Sequence, residues 1–214
     1  MARKVKRRRP YDSAQRREAA QRRREAVVEV ARRLFLRGGF SGTTIANIAE
    51  GAGVSEETVY KAFGNKIALL RAVRDKALAG QAPVHAERRS DRMQANANDP
   101  RKIIREWGVL TTEVAPRVAP VLILVREAAA SDPELARLQD EMDAARLTRM
   151  THNARTLVNT GHLRQGITLD AAADVLWTYS SPELYELLVI RRAWSIERYA
   201  HFITDAMIAA LIPS

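Results

Sequence analysis

The chain has 214 residues, of which 46% are apolar and 28% charged, with a formal charge of +10 and no cysteine. That length suits one large domain or two small ones, and the apolar share is enough for a packed core. Disulfide and thiolate chemistry are excluded. The positive excess implies a polyanionic partner, either nucleic acid or an acidic membrane surface.

The charge is unevenly placed. Residues 1–24, MARKVKRRRPYDSAQRREAAQRRR, hold eleven Lys/Arg against Asp12 and Glu18. Residues 1–12 read as a basic disordered arm that seeks phosphates through Arg7, Arg8 and Arg9, or more plainly as a solubilising tail. Ser13 is predicted to cap a helix reaching about Arg37, with Val27, Ala31, Leu34 and Phe35 at helical spacing. Gly38-Gly39 ends it. GGFSG lacks the Gly-Lys-Ser/Thr of a phosphate loop. RRLFLR imitates a twin-arginine signal, but no apolar segment follows it. No uncharged apolar run approaches the ~18 residues of a membrane span, so no membrane partner and a cytoplasmic location are expected.

Thr43 or Thr44 opens a second, short helix with Ile45, Ile48 and Ala49 inward, ended by Gly51-Ala52-Gly53. Ser55 caps a third, with Val59, Ala62 and Phe63 inward, and Asn65 caps a fourth running to about Leu78. Two short helices joined by a glycine turn form a helix-turn-helix. The second helix of such a unit lies in the major groove with its N-terminal residues at base edges. The candidate DNA-binding set is therefore Thr43, Thr44, Ser55, Glu56, Glu57, Thr58, Tyr60, Lys61 and Lys66. Tyr60 suits a phosphate through its hydroxyl, or packing. Lys61 suits a phosphate or a guanine edge, and Lys66 a phosphate at a helix start. Glu56 and Glu57 either complement the helix dipole or accept from cytosine N4.

The segment FSGTTIANIAEGAGVSEETVYKAFGNKIALL, residues 40–70, resembles the DNA-binding domain of the TetR family of transcriptional repressors. The likeness extends over residues 24–73, and residues 161–203 more loosely resemble the C-terminal region of an actinobacterial branch. The resemblance implies a homodimer, an N-terminal helix-turn-helix and a helical C-terminal domain that binds a small effector. It also implies phosphate contacts at Thr44, Tyr60 and Lys66. Lys61, where the family often has an aromatic residue or histidine, and the long basic arm depart from the pattern.

Residues 80–99 read as a linker or irregular helix end. Helical patterns then run from Asp99-Pro100 to a break or kink at Pro116, through the apolar VLILV, and from Asp132-Pro133 to about Asn159. Others start after Thr168, at Pro182 and after Ser195. No period-2 strand pattern occurs. The predicted fold is all-α with about nine helices. A basic arm (1–12) leads to a helix-turn-helix DNA-binding domain (13–78) and a larger helical effector-binding and dimerisation domain (79–214). Trp107, Leu110, Leu122, Arg126, Met142, Arg146, Met150, Trp177 and Tyr185 are candidate pocket lining, or else ordinary core. The last two helices carry broad apolar faces suited to a four-helix homodimer interface.

His85, His152, His162 and His201 are scattered, and no metal-ligand spacing or nucleophile elbow occurs. The expectation is a non-enzyme without cofactor or metal that binds double-stranded DNA and a small effector. The rival is a non-specific architectural DNA- or RNA-binding protein driven by the arm.

Overall fold

The structure, a computed structural model, describes residues 10–79, 86–95 and 99–213, with side chains from residue 15 onward. Arg7, Arg8 and Arg9, and with them most of the predicted arm, lie outside the described residues. No strand occurs among those described. The chain divides into two compact units between Val73 and Arg74.

The first unit holds α1 (Pro10–Gly38), α2 (Ile45–Ala52), α3 (Glu56–Phe63) and the start of α4 (Lys66–Ala79). The sequence reading placed the beginning of α1 at Ser13; the helix starts three residues earlier, with Pro10 at its first position, where a missing N–H costs nothing. Its core is Val27, Ala31, Phe35, Phe40, Ile48, Val59, Leu69 and Leu70, all buried. Phe35 and Phe40 stack with ring centroids 5.7 Å apart. Gly51 lets α2 approach α1, since a Cβ there would stand 2.9 Å from Val30 Cγ1.

The second unit holds the end of α4 and α5 (Ala86–Ala95), α6 (Pro100–Ala129), α7 (Pro133–Asn159), α8 (Leu169–Tyr179), α9 (Pro182–Tyr185) and α10 (Ile196–Leu211). Thr168 and Ser195 cap α8 and α10 through their hydroxyls, as their positions predict. Three elements differ from the sequence reading. The presumed linker contains α5, whose buried Gln94 donates to Ser90 of the same helix and to Asn153 of α7. Pro116 does not break the chain: α6 runs unbroken through Pro116 and Pro120. Each proline removes one helical hydrogen bond, but buried Ile103, Ile104, Val118, Val121 and Val125 hold both halves in the core. α9 continues directly into a π-helical stretch, Glu186–Arg191, which is followed by Ala193 in a left-handed conformation (φ 53°).

By length and composition α6 is also apolar enough to cross a membrane. The expectation that no such segment exists counted only uncharged runs. A helix that fills the centre of a helical bundle meets the same description, and α6 packs against α5, α7, α9 and α10.

Candidate functional site

In the first unit, α2 and α3 are fixed by local backbone chemistry. Thr44 Oγ1 accepts from Asn47 N at 3.1 Å and Ser55 Oγ from Thr58 N at 3.2 Å, so a hydroxyl caps each helix. Between them Gly53 takes a left-handed conformation (φ 64°), and Val54 N bonds back to Ala49 O at 3.0 Å. That six-to-one closure is a Schellman turn, and the positive φ favours glycine. The angle between the two helices is then locked by buried Ile48, Ala49 and Val59.

With Val59 inward, Glu56, Glu57, Tyr60 and Lys61 share an arc of about 140° on the opposite side of α3. All four are exposed, as are Ser55 and Thr58, and Tyr60 keeps 50% of its surface open. Thr44 is exposed at the start of α2. Six of the predicted residues thus gather on or beside one helix, and Thr44 adds a polar group at the other.

Two predicted residues stand elsewhere. Thr43 is buried, and its Oγ1 donates to Gly39 O at 2.8 Å, closing the loop after α1 rather than facing outward. The Lys66 ammonium donates to Phe40 O at 2.9 Å and Thr43 O at 3.0 Å and lies 4.1 Å from the Phe40 ring centroid. It clamps the same loop instead of presenting itself to a phosphate. Sequence reasoning missed Arg24, whose guanidinium stacks 4.1 Å from the Phe63 ring centroid and donates to Ala62 O at the end of α3.

The second unit contains a cavity of about 260 Å³. Trp107, Leu110, Leu122, Met142, Arg146, Met150 and Tyr185, seven of the nine predicted lining residues, border it. Arg126 does not; it ion-pairs with Glu183 (3.2 Å) and with Glu186, tying α6 to α9 and the π-helical stretch. The Arg126 and Arg191 hydrogen bonds hold the Glu186 carboxyl below the usual range. Trp177 is also absent from the lining and carries the Arg146 guanidinium 4.4 Å from its ring centroid. Lining residues that the sequence did not single out include Arg74 and Leu78 at the end of α4, and Tyr199.

The cavity is mainly apolar, and its cations are balanced. Arg74 pairs with Asp75 at 3.1 Å, Arg146 with Asp143 at 3.2 Å and Arg149 with Asp91 at 2.8 Å. Tyr185 and Tyr199 meet edge to face with centroids 5.7 Å apart. Burial raises both phenols, Tyr199 to about 12, so both are neutral near pH 7. Among the described residues no group of three or more His, Asp or Glu is placed to hold a metal ion.

Residues 27–73 match the family model for bacterial regulatory proteins of the tetR family. The HTH-type transcriptional regulator TtgR of Pseudomonas putida is 43% identical over 58 residues, 27% of this chain. The match spans 28% of TtgR's own length. The solved structure of NalD, the secondary repressor of a Pseudomonas aeruginosa multidrug efflux pump, is similar over 92% of this chain and 98% of its own. Its TM-score is 0.69 at 20% identity. FadR from Bacillus subtilis, solved with stearoyl-CoA, is similar over 87% and 98% of the two chains, with a TM-score of 0.70 at 16% identity. These two structures share the fold: helices throughout, over nearly the whole length.

Proposed function

We propose, from the match of residues 27–73 to the tetR family of bacterial regulatory proteins, that this chain is a sequence-specific DNA-binding transcriptional regulator of that family. It acts as a repressor released from its operator by a small-molecule effector. The observation that carries this reading is the exposed arc of Glu56, Glu57, Tyr60 and Lys61 on a short helix whose opposite side is locked into a core. A polar helical face held this rigidly suits base edges in a major groove. Thr44, Ser55 and Thr58 add hydroxyls for adjacent phosphates.

The cavity supports the effector. A mainly apolar lining with balanced charges favours a neutral, largely apolar ligand oriented by a few polar groups. At about 260 Å³ the cavity lies just below the ~300–1,000 Å³ of ordinary ligand pockets, which favours a compact ligand. Arg74 and Leu78 border it from α4, the helix that begins with the Lys66 clamp. A ligand that binds one position of α4 better than another shifts the DNA-binding equilibrium by that difference in affinity.

A second copy of the chain completes the reading. Leu187, Ile190 and Phe202 are exposed near the end of the chain, where Trp194 meets Phe202 edge to face at 5.6 Å. Such a patch suits an isologous dimer contact. Sedimentation velocity tests it, and a monomer at micromolar concentration would contradict it.

The decisive experiment selects bound duplexes from a random pool. A regulator prefers its operator over random duplex by ~10³ or more, whereas an architectural protein shows no such ratio. Repeating the selection with metabolite mixtures reports release.

A further inference from the structure

Resting on the DNA-binding reading above, we propose that residues 15–24 of α1 form a second DNA-contacting element, which lies along phosphates flanking the site read by α3. α1 begins at Pro10, yet from residue 15 onward its first buried residue is Val27. Between residues 15 and 26 every side chain is exposed except Ala19, which is half-buried. The only apolar residues there are Ala19, Ala20 and Ala26, so this part of the helix has no stripe to bury against protein.

What it offers is segregated charge. At about 100° per residue, Arg16, Arg17, Arg23 and Arg24 fall within an arc of about 120°. Glu18 and Glu25 lie on the far side, where Glu18 pairs with Arg22 at 2.8 Å. Arg24 fixes the direction of the cationic face, because it holds Phe63 and Ala62 at the end of α3. Arg17 projects on the same side two turns back, ~10.5 Å toward the N-terminus. The basic face therefore continues outward from the end of the helix that carries Tyr60 and Lys61.

Helix dimensions decide how it binds. A helix ~10–12 Å across does not enter a minor groove ~6 Å wide, so this element follows the phosphate ridge. From Pro10 to Arg24 it is ~21 Å long, about six base pairs along one strand. Duplex DNA is favoured over an anionic membrane because a membrane-surface helix must also bury an apolar face, and this one has only alanines.

The test compares the full chain with the R16Q/R17Q/R23Q variant on a selected operator duplex, with and without one more helical turn (~10 bp) of flank on each side. Glutamine keeps helix propensity, so the circular dichroism of the variant should show the same helix content. On the longer duplex the variant's salt slope should fall by ~0.9 per lost contact. Three contacts would narrow the affinity loss between 50 and 200 mM salt by roughly 40-fold. The wild type should gain affinity from the flanks and the variant should not. An unchanged slope, or a wild type indifferent to flanks, overturns the proposal. So does tight wild-type binding to phosphatidylserine vesicles without any gain from flanks. If the wild type prefers no duplex at all, the DNA-binding reading fails first and takes this one with it.

Discussion

Replacing Lys66 with methionine keeps the apolar stem and removes the ammonium that bonds Phe40 O at 2.9 Å and Thr43 O at 3.0 Å. A hydrogen bond to a charged group contributes ~1.5–3 kcal/mol, and a cation–π contact at an exposed site ~0.5–1 kcal/mol. Lys66 is only half-buried and both bonds share one ammonium, so the low end applies to the clamp as a whole, ~2–3 kcal/mol. For a chain of this size each kcal/mol moves Tm by ~2–4 °C, which gives a fall of roughly 4–12 °C. Calorimetry checks the melting and fluorescence anisotropy the binding. Because the loop before α2 loosens, affinity should drop on every duplex alike, while the salt slope should hold. An unchanged Tm with a slope lower by ~0.9 would refute this and return the ammonium to a phosphate.

Other perturbations follow from the same geometry. In Gly108→Ala the new Cβ would stand 2.1 Å from Thr204 Oγ1. Overpacking of ~1–3 kcal/mol then opposes a helix gain of ~1 kcal/mol, so the variant loses up to ~2 kcal/mol. Adding Thr204→Ala removes the clash, and a urea double-mutant cycle should be non-additive by ~1 kcal/mol or more. Glu113 is held below the ordinary glutamate range, first by the Arg89 hydrogen bond and against burial, with Arg117 assisting. Its folded value lies below its unfolded value, so its stabilisation is complete above pH ~4.3 and is lost as pH falls through the folded value. Glu113→Gln should flatten the acid limb of a Tm-against-pH curve and leave a parallel curve only if the ion pair is idle. Tyr60→Phe should weaken all duplexes similarly, by ~1 kcal/mol for one neutral hydrogen bond. Glu57→Gln should change the selected bases instead, and the same selection from both variants would expose the reverse assignment.

The helix-turn-helix was legible because its determinants are local. Thr44 and Ser55 cap, Gly53 turns left-handed, and Ile45, Ile48 and Ala49 recur at helical spacing. None of these needs knowledge of a distant residue. Lys66 was misassigned and Arg24 missed because their partners lie elsewhere in the chain. Lys66 reaches 26 residues back to Phe40, and Arg24 reaches 38 forward to Ala62. α5 was missed because its buried side, Ala86, Ser90 and Gln94, is mostly polar and has no large apolar residue to mark a hydrophobic period. α6 survives two prolines because tertiary packing outweighs local propensity. The cavity lining was found where large apolar side chains mark it, and lost at Arg126 and Trp177, whose ion pair and cation–π partners divert them.

Total charge could not separate the two sites, whereas its placement does. Arg74, Arg146 and Arg149 at the cavity each sit within 3.2 Å of an aspartate, so a ligand there meets little net field. On α1 Arg16, Arg17, Arg23 and Arg24 gather on one side while Glu18 and Glu25 occupy the other. A neutral fluorescent probe such as N-phenyl-1-naphthylamine should therefore bind the chain with nearly the same affinity at 50 and 200 mM salt. Duplex binding should fall by orders of magnitude over that interval, since several phosphate contacts release counterions. A probe affinity that falls in step with DNA binding would mean that the cavity carries an uncompensated charge, and the neutral-ligand assignment would go with it.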